Sequence, residues 1–244
     1  MRFAAAQTVP EPGDVQGNVE QHMRFVELAA REQVDVLLFP ELSLTGYELE
    51  LGHRLAFSAD DDRLAPLIGL ARANAITLIV GAPIASGSYV TIGAFICHPD
   101  GTVGLYNKRH LGSDEELAFM AGEPTPLVQL GGVPAALAIC ADASHPSHAE
   151  EAAQLGARSY LVSAFVTPED LPRKVERLVG YAKLHTMPVV FANYGGPSGG
   201  LPSGGSSAIW SDTGALVAQL TAEGPGLVMA SSRGGVWVGR TVNL

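Results

Sequence analysis

The chain has 244 residues, of which 47% are hydrophobic and 16% are charged, a composition that excludes a disordered chain and predicts a folded protein rich in buried sheet. Its 25 acidic residues outnumber its 15 lysines and arginines, and the formal net charge of -10 argues against nucleic acid as a partner. No apolar run approaches the roughly 18 residues that cross a bilayer, and the run at residues 1–7 is too short for a secretion signal. We therefore expect a cytoplasmic protein with no membrane partner, organised as a single domain over residues 1–244.

Strands and helices alternate in the first third of the chain. The predicted elements are, in order, a strand at residues 3–9, a helix from Asp14 to about Gln33, a strand at 34–39, a helix from Asp61 or Asp62 to about Asn74, and a strand at 76–80. The first helix is amphipathic, because apolar residues recur at helical spacing, and Asp14 is its predicted N-cap. The strand at 34–39 is apolar throughout, which is typical of a sheet covered on both faces.

Short strands predominate in the remainder of the chain. They are predicted at residues 89–98, 102–106, 127–130, 135–139, 160–164, 188–193, 206–210, 216–220 and 227–231. A turn at Asp100-Gly101 joins the first two of these strands, and the last three form a predicted β-meander. The other predicted elements are a loop or short helix at 115–122 ended by Pro124 and Pro126, a helix capped by Ser147 that runs to Leu155, and a helix at 168–185.

Predicted strands outnumber predicted helices by roughly twelve to four. An alternation of one strand with one helix would give equal numbers, so the additional strands require a second sheet. The pattern therefore predicts an α/β protein in which two mixed β-sheets pack together between outer helix layers, a four-layer αββα sandwich.

The two cysteines, Cys97 and Cys140, are the first candidates for chemistry. A disulfide is not expected in a reducing cytosol, so each thiol needs its own explanation. Cys97 lies in an apolar strand, where a buried inert thiol is the simplest interpretation. Cys140 ends the apolar run at 135–139, and Asp142 follows it. We interpret Cys140 as a nucleophile, which needs a neighbouring base to deprotonate it.

A carboxylate and an ammonium group stand at the ends of two other predicted strands. Glu41 closes the strand at 34–39, where partial burial raises the pKa of its carboxyl group and suits it to exchange protons with the thiol and a leaving group. Lys108 follows the strand at 102–106. Its charge and the backbone N–H of Ala141 can stabilise the oxyanion formed by attack on a carbonyl or nitrile carbon. Together these groups predict a covalent hydrolase.

The local sequences around these three side chains resemble those of the carbon–nitrogen hydrolase (nitrilase) superfamily. The resemblance rests on FPELSLTGY at residues 39–47, YNKRHL at 106–111 and ICAD at 139–142, with further similar residues at 5–7, Asn18, 192–195 and 205–207. It covers nearly the whole chain. It implies an αββα sandwich, a triad of Glu41, Lys108 and Cys140, a thioester acyl-enzyme and a homodimer. The implied substrate is a small amide or nitrile, with no metal or cofactor.

The resemblance also assigns residues around the triad. It implies that Glu115 orients Lys108 and the substrate, with Glu116 as the competing choice. The expected substrate contacts are Tyr47, Ala141, Phe165 and the residues just after Asp142. At residues 143–147 the chain reads ASHPS, where the family has an arginine, an aromatic residue and Pro-Glu. The arginine that supports the cysteine loop in the family is therefore missing here.

Other interpretations of these residues have less support. The main alternative is a catalytically inactive or acyl-transferring homologue that acts as a binding or dimer scaffold, and amide, nitrile and carbamoyl substrates share the predicted chemistry. A metal site at Asp142, His145 and His148 is disfavoured, because a further ligand is lacking. The GGSS run at 204–207 resembles the serine loop of amidase-signature enzymes, but the chain is too short for that fold. The glycine-rich residues 195–205 lack the Gly-Lys-Ser/Thr of a phosphate cradle.

Overall fold

The computed structural model describes residues 1–124 and 127–244, which form two β-sheets flanked by helices. The strands are β1 (Arg2–Gln7), β2 (Val36–Leu38), β3 (Thr77–Ser86), β4 (Tyr89–Cys97), β5 (Val103–Asn107), β6 (Val128–Leu130), β7 (Val133–Ile139), β8 (Tyr160–Ser163), β9 (Val189–Ala192), β10 (Ala208–Trp210), β11 (Leu216–Gln219), β12 (Gly226–Arg233) and β13 (Val236–Asn243). The α-helices are α1 (Val15–Arg31), α2 (Gly52–Leu55), α3 (Ala65–Asn74), α4 (Pro146–Gln154) and α5 (Leu171–His185). None of the helices in these two ranges is long and apolar enough to cross a membrane. Pro126, predicted to end the loop before β6, lies outside the described residues.

Both sheets combine parallel and antiparallel strands. One sheet has the strand order β13-β12-β1-β2-β3-β4-β5, and the other has the order β11-β10-β9-β8-β7-β6. The strands β1, β2 and β3 are mutually parallel, as are β7, β8 and β9. The flanking strands pair in antiparallel fashion. The prediction of two mixed sheets is therefore confirmed.

Alternate side chains of the central strands enter different cores. In β2, Leu38 packs between the two sheets, whereas Leu37 packs with residues of α1 and α3. In β8, Leu161 enters the core between the sheets, whereas Val162 packs with residues of α4 and α5. Because side chains alternate along a strand, this pattern orders the layers as helix, sheet, sheet, helix. The predicted four-layer αββα sandwich is confirmed.

The starts of two helices test the capping predictions. The Asp14 carboxylate accepts a hydrogen bond from the Gly17 N–H at 3.0 Å, so Asp14 caps α1 as predicted. Helix α4 is different, because His145 is its N-cap residue and Pro146 occupies the first turn, where a missing N–H is tolerated. Ser147 therefore lies inside the helix, and its predicted role as the cap is wrong.

The predicted β-meander is wrong in its last strand. β10 and β11 pair with each other, but β12 lies in the other sheet between β1 and β13. Leu227 packs on the helix side of that sheet, and Val228 packs between the two sheets. Because both faces of β12 are apolar, the strand is buried inside a sheet that is covered on both sides. The edge strand β13 escapes sequence prediction, because Val236 and Val238 are exposed and form no buried apolar face.

Candidate active site

The three residues of the predicted triad stand just beyond the ends of strands. Glu41 follows β2 after Phe39 and Pro40, Lys108 follows β5 directly, and Cys140 follows β7 directly. β2 and β5 belong to one sheet and β7 belongs to the other. The face-to-face packing of the two sheets therefore decides whether these strand ends meet.

Lys108 lies at the centre of a buried charge cluster. Its Nζ is 2.6 Å from Glu41 Oε1 and 2.6 Å from Glu115 Oε1, and the side chains of Lys108 and Glu41 are 0% exposed. The Tyr47 hydroxyl donates to the same Glu115 oxygen at 2.6 Å. The Gly112 N–H donates to Glu115 Oε2 at 2.7 Å. Because both oxygens of Glu115 are held, this carboxylate fixes the ammonium group against Glu41.

Of the two adjacent glutamates predicted as candidates to orient Lys108, the structure places only one beside it. Glu115 is buried and contacts Lys108, whereas Glu116 is exposed. Both residues lie in the 3₁₀ turn Glu115–Leu117, where successive side chains diverge by about 120°. The local helix therefore brings Glu115, and not Glu116, to the cluster.

The backbone of Phe165, just beyond β8, links the glutamate to the thiol. Its N–H donates to Glu41 Oε2 at 3.2 Å, and its carbonyl accepts a hydrogen bond from Cys140 Sγ at 3.4 Å. The two side chains thus bind the two polar groups of a single residue. This arrangement brings Glu41, Lys108 and Cys140 together, although they come from different sheets.

Cys140 opens the 3₁₀ segment Cys140–Ser144 in a left-handed backbone conformation, with a φ of 40°. Such a conformation costs a non-glycine residue of order 1–3 kcal/mol and persists only where the surroundings hold it. Asp142 helps to stabilise this conformation, because its Oδ2 accepts hydrogen bonds from the Ile139 N–H at 3.0 Å and from the Tyr106 hydroxyl at 2.7 Å. The chain therefore turns sharply away from β7 at the thiol.

Asp142 also joins the cysteine turn to the lysine segment. Its Oδ1 accepts from the backbone N–H groups of Arg109 at 3.1 Å and His110 at 2.8 Å, and its side chain is fully buried. Since Lys108 directly precedes Arg109, this one carboxylate sets the position of Lys108 relative to Cys140. Asp142 belongs to the ICAD motif at residues 139–142, but the motif did not predict this link.

A second buried lysine, which the sequence motifs did not indicate, contacts the cysteine turn. Lys174 Nζ donates to the Cys140 carbonyl at 2.9 Å and to Ser144 Oγ at 2.7 Å. A signal was present, because Lys174 shares the buried stripe of α5 with Leu178 and Tyr181, at positions i, i+4 and i+7. A lysine on such a stripe is rarely buried without a specific contact.

Burial is the largest single influence on the pKa values of Glu41, Cys140 and Lys108. It raises the pKa of Glu41 to about 7, while the Lys108 ammonium opposes the rise and the Glu115 carboxylate adds to it. Burial also raises the pKa of the Cys140 thiol to about 12, with the Glu41 charge adding to the rise and Lys108 and Lys174 opposing it. For Lys108, burial lowers the pKa but the Glu41 and Glu115 carboxylates outweigh it, so the pKa is raised and the ammonium persists. At neutral pH the site holds a thiol near a carboxyl group that can accept or release a proton.

Cys140 lines a cavity of about 250 Å³. The three expected substrate contacts, Tyr47, Ala141 and Phe165, all line it as well. The rings of Tyr47 and Phe165 are 4.8 Å apart and form an apolar wall. This volume lies below the range typical of sites for drug-sized ligands, so the cavity suits a small molecule.

The residues behind two alternative interpretations have structural partners. His148 lies between the hydroxyls of Tyr106 and Tyr160, at 3.0 and 2.9 Å. No group of three or more His, Cys, Asp or Glu side chains in residues 1–124 and 127–244 is arranged to hold a metal ion. Ser207 Oγ donates to the Asn193 carbonyl at 3.2 Å and accepts from the Asn193 N–H at 3.0 Å. These bonds give His148 and Ser207 structural roles.

Gly81 on β3 sets how closely the Glu41 turn approaches the sheet. A Cβ atom at Gly81 would lie 2.5 Å from the Leu42 N and 2.5 Å from the Pro40 O, and both are backbone atoms. We expect Gly81→Ala to lower the free energy of unfolding by about 1–3 kcal/mol, because overpacking forces the backbone to shift. Urea denaturation measures this change.

Gly69→Ala is the matched control for this substitution. Gly69 lies in α3, and apart from its neighbours in the helix no atom is within 4 Å of a Cβ added there. Alanine also favours helix over glycine by about 1 kcal/mol, so we expect Gly69→Ala to preserve or raise stability. A Gly81→Ala variant as stable as the wild type would contradict the close packing of the Glu41 turn.

Comparison with known proteins gives concordant matches. A family model described as carbon-nitrogen hydrolase matches residues 2–233. A hydrolase encoded in the pqqF 5' region of Pseudomonas protegens is 32% identical over 225 residues, which is 89% of this chain and 78% of that protein. The structure of NitN amidase from Nesterenkonia sp. AN1 superposes with a TM-score of 0.88 at 29% identity, covering 96% of this chain and 93% of that one.

A mutant of the same amidase, in which acrylamide has added to the active-site cysteine, superposes with a TM-score of 0.87 at 28% identity, covering 96% of this chain and 93% of that one. Similarity of sequence and of fold thus extends over almost all of the chain in both kinds of comparison. The family resemblance seen in the motifs is confirmed. The chain accordingly belongs to the carbon–nitrogen hydrolase family, and it is a hydrolase of the amidase and nitrilase type.

Proposed function

We propose that this protein hydrolyses small amides through a thioester on Cys140, with Glu41 as the acid and base and Lys108 as the oxyanion donor. One observation carries the proposal. Lys108 Nζ lies 2.6 Å from Glu41, while Glu41 and the Cys140 thiol bind the N–H and the carbonyl of the same residue, Phe165. A nucleophile that lines the cavity is therefore linked through Phe165 to a buried proton acceptor, which is itself paired with a cation.

The first step is attack by sulfur. With a pKa of about 12, the thiol does not ionise by itself at neutral pH, whereas the Glu41 carboxyl, with a pKa of about 7, is substantially ionised there. Glu41 therefore accepts the thiol proton as the bond between sulfur and the amide carbon forms. The π electrons of the carbonyl move to its oxygen, which becomes the oxyanion.

The oxyanion needs donors that are in place before it forms. Lys108 supplies an ammonium group whose position Glu115 fixes, and the Ala141 N–H is adjacent in sequence to the nucleophile. Loss of one such donor raises the barrier by about 3–4 kcal/mol in other hydrolases. When the oxyanion collapses, the C–N bond breaks, Glu41 returns its proton to nitrogen, and ammonia or an amine leaves.

Water completes the cycle. Glu41, which is ionised again, takes a proton from a water molecule. The oxygen of that water attacks the thioester carbon. Collapse of this second intermediate breaks the C–S bond, and the proton on Glu41 returns to sulfur. The products are an acid and the free Cys140 thiol, so one carboxyl group serves both halves of the reaction.

The cavity supports a small substrate. Its volume is about 250 Å³, and the Tyr47 and Phe165 rings form an apolar wall. A mutant of the related amidase carries the product of Michael addition of acrylamide, a small primary amide, at its active-site cysteine. We therefore propose short aliphatic primary amides as the substrate class. Experiment must distinguish them from nitriles and carbamoyl compounds as substrates, and hydrolysis from acyl transfer as the reaction.

Mass spectrometry of the intact protein and of its peptides, after incubation with short amides and nitriles, tests this function. We expect an acyl adduct that maps to the Cys140 peptide, accompanied by release of ammonia from amides. Cys97→Ala is the control for the second thiol. Cys97 is a core residue with 0% exposure, so its replacement should leave the adduct in place.

Three results would count against the proposed function. An adduct that maps elsewhere would exclude Cys140 as the nucleophile. A folded protein that forms neither adduct nor product with any of these compounds would favour the non-catalytic scaffold. An adduct that passes to an added amine or alcohol faster than to water would favour acyl transfer.

Three expectations from the sequence stay predictions. These are the homodimer, the cytoplasmic location and the organisation of residues 1–244 as a single domain. None of them is needed for the chemistry proposed above, because the residues assigned to it all lie in one chain.

A further inference from the structure

We propose that Lys174 is a positioning residue for Cys140, which clamps the turn that carries the nucleophile and provides the positive charge that a thiolate there requires. This inference rests on the proposed role of Cys140 as the nucleophile. It goes beyond that role, because it assigns a function to a residue outside the predicted triad and its partner Glu115.

Geometry supports the clamp. Lys174 Nζ donates to the carbonyl of Cys140 at 2.9 Å and to Ser144 Oγ at 2.7 Å, so it binds the first and last residues of the 3₁₀ segment. Cys140 has a φ of 40°, a conformation that its surroundings must hold. A bond to the carbonyl of that same residue fixes the orientation of the strained peptide, and with it the direction of the side chain.

The electrostatic environment of Lys174 supports the second part of the proposal. The residue is 7% exposed, and in the described part of the chain no carboxylate oxygen lies within 4.0 Å of its Nζ. The acceptors that it binds are therefore neutral. A buried cation is costly unless an opposite charge compensates it, so this site favours a negative charge close by.

The net charge of the cluster gives the reason why a second cation is needed. Lys108 is shared by two carboxylates, Glu41 and Glu115, and these three groups sum to one negative charge when all are ionised. A thiolate at Cys140 would add a second negative charge. Residues 143–147 contain no lysine or arginine, so the turn itself supplies no cation. Lys174 provides one from α5.

The pH dependence of Cys140 alkylation tests this proposal. Iodoacetamide is added to the wild type and to the variants across about pH 6 to 10, and the modified Cys140 peptide is quantified by mass spectrometry. Lys174→Met removes both the bond and the charge. Lys174→Gln retains a hydrogen-bond donor and removes only the charge. Lys174→Arg retains the charge.

We expect both neutral variants to alkylate Cys140 about tenfold more slowly than the wild type at each pH in this range, because loss of the charge raises the pKa of the thiol and so reduces its thiolate fraction. Lys174→Arg should restore most of the wild-type profile. Lys183→Met is the matched control, because Lys183 is exposed on the same helix, and it should leave the profile unchanged.

Wild-type pH profiles in Lys174→Met and Lys174→Gln would overturn the proposal, and so would a shift of the same size in Lys183→Met. Thermal unfolding of each variant identifies any that do not fold, and Lys174→Gln decides the question if Lys174→Met is unfolded. Alkylation requires no amide turnover. A shifted profile in a protein that hydrolyses no amide would therefore support Lys174 while rejecting the proposed function.

Discussion

Replacing Cys140 by alanine is expected to lower kcat for a short amide by about 10⁴-fold or more, because no thioester can form without the sulfur. The cavity walls contributed by Tyr47 and Phe165 remain, so the variant should still bind the amide. Release of ammonia under saturating amide measures kcat. Isothermal titration of the inactive variant measures binding separately.

This first prediction has a matched control in the other cysteine. Cys97→Ala removes a thiol from the core between the seven-stranded sheet and helices α1 and α3. Burial there raises the pKa of the Cys97 thiol to about 12. We expect Cys97→Ala to retain kcat at temperatures at which it stays folded. If Cys140→Ala kept more than about one hundredth of the wild-type kcat, Cys140 could not be the nucleophile.

Glu41→Gln is expected to lower kcat by about 10²–10⁴-fold, the usual contribution of a general acid and base. Glutamine has almost the same shape and can still accept from the Phe165 N–H, but it cannot take the thiol proton. Glu116→Gln is the control, because Glu116 is exposed and close to the site in sequence. Equal losses in both variants would show that the effect is not specific to Glu41.

The pH dependence of kcat/KM supplies an independent measurement on the same residue. Glu41 must be ionised to accept a proton from sulfur, and burial raises the pKa of its carboxyl group to about 7. As the pH falls below about 7, the ionised fraction decreases, so kcat/KM should decrease about tenfold per pH unit. In Glu41→Gln this acidic limb should disappear. A limb retained in the variant would assign it to another group.

The local sequence was sufficient to predict the four layers and to place Glu41, Lys108 and Cys140 just beyond the ends of strands. Glu41, Lys108 and Cys140 each follow a short apolar strand, and the end of such a strand is visible from residue types alone. The excess of short strands over helices is likewise visible from residue types, and it correctly predicted two packed sheets. Asp14 was predictable as a cap for the same reason, because its partner Gly17 is three residues away.

Contacts between distant residues decided what the sequence left open. β12 is buried on both faces, and such a strand has the same apolar pattern in either sheet, so only its pairing with β1 and β13 placed it. The choice of Glu115 over Glu116 depended on the direction of a 3₁₀ turn. Lys174 lies 34 residues from Cys140, and α5 must pack on its sheet before the two meet.

The sequence by itself thus determined which chemical groups this protein possesses and that each stands at a strand end, because strand periodicity and turn residues are encoded locally. Tertiary structure decided their distances and their protonation. Burial raised the pKa of Glu41, the Phe165 backbone joined it to the thiol, and Lys174 reached the cysteine turn. Desolvation and long-range hydrogen bonds exist only once the layers have packed, so the sequence pattern indicated the direction of the Glu41 pKa shift but not these contacts.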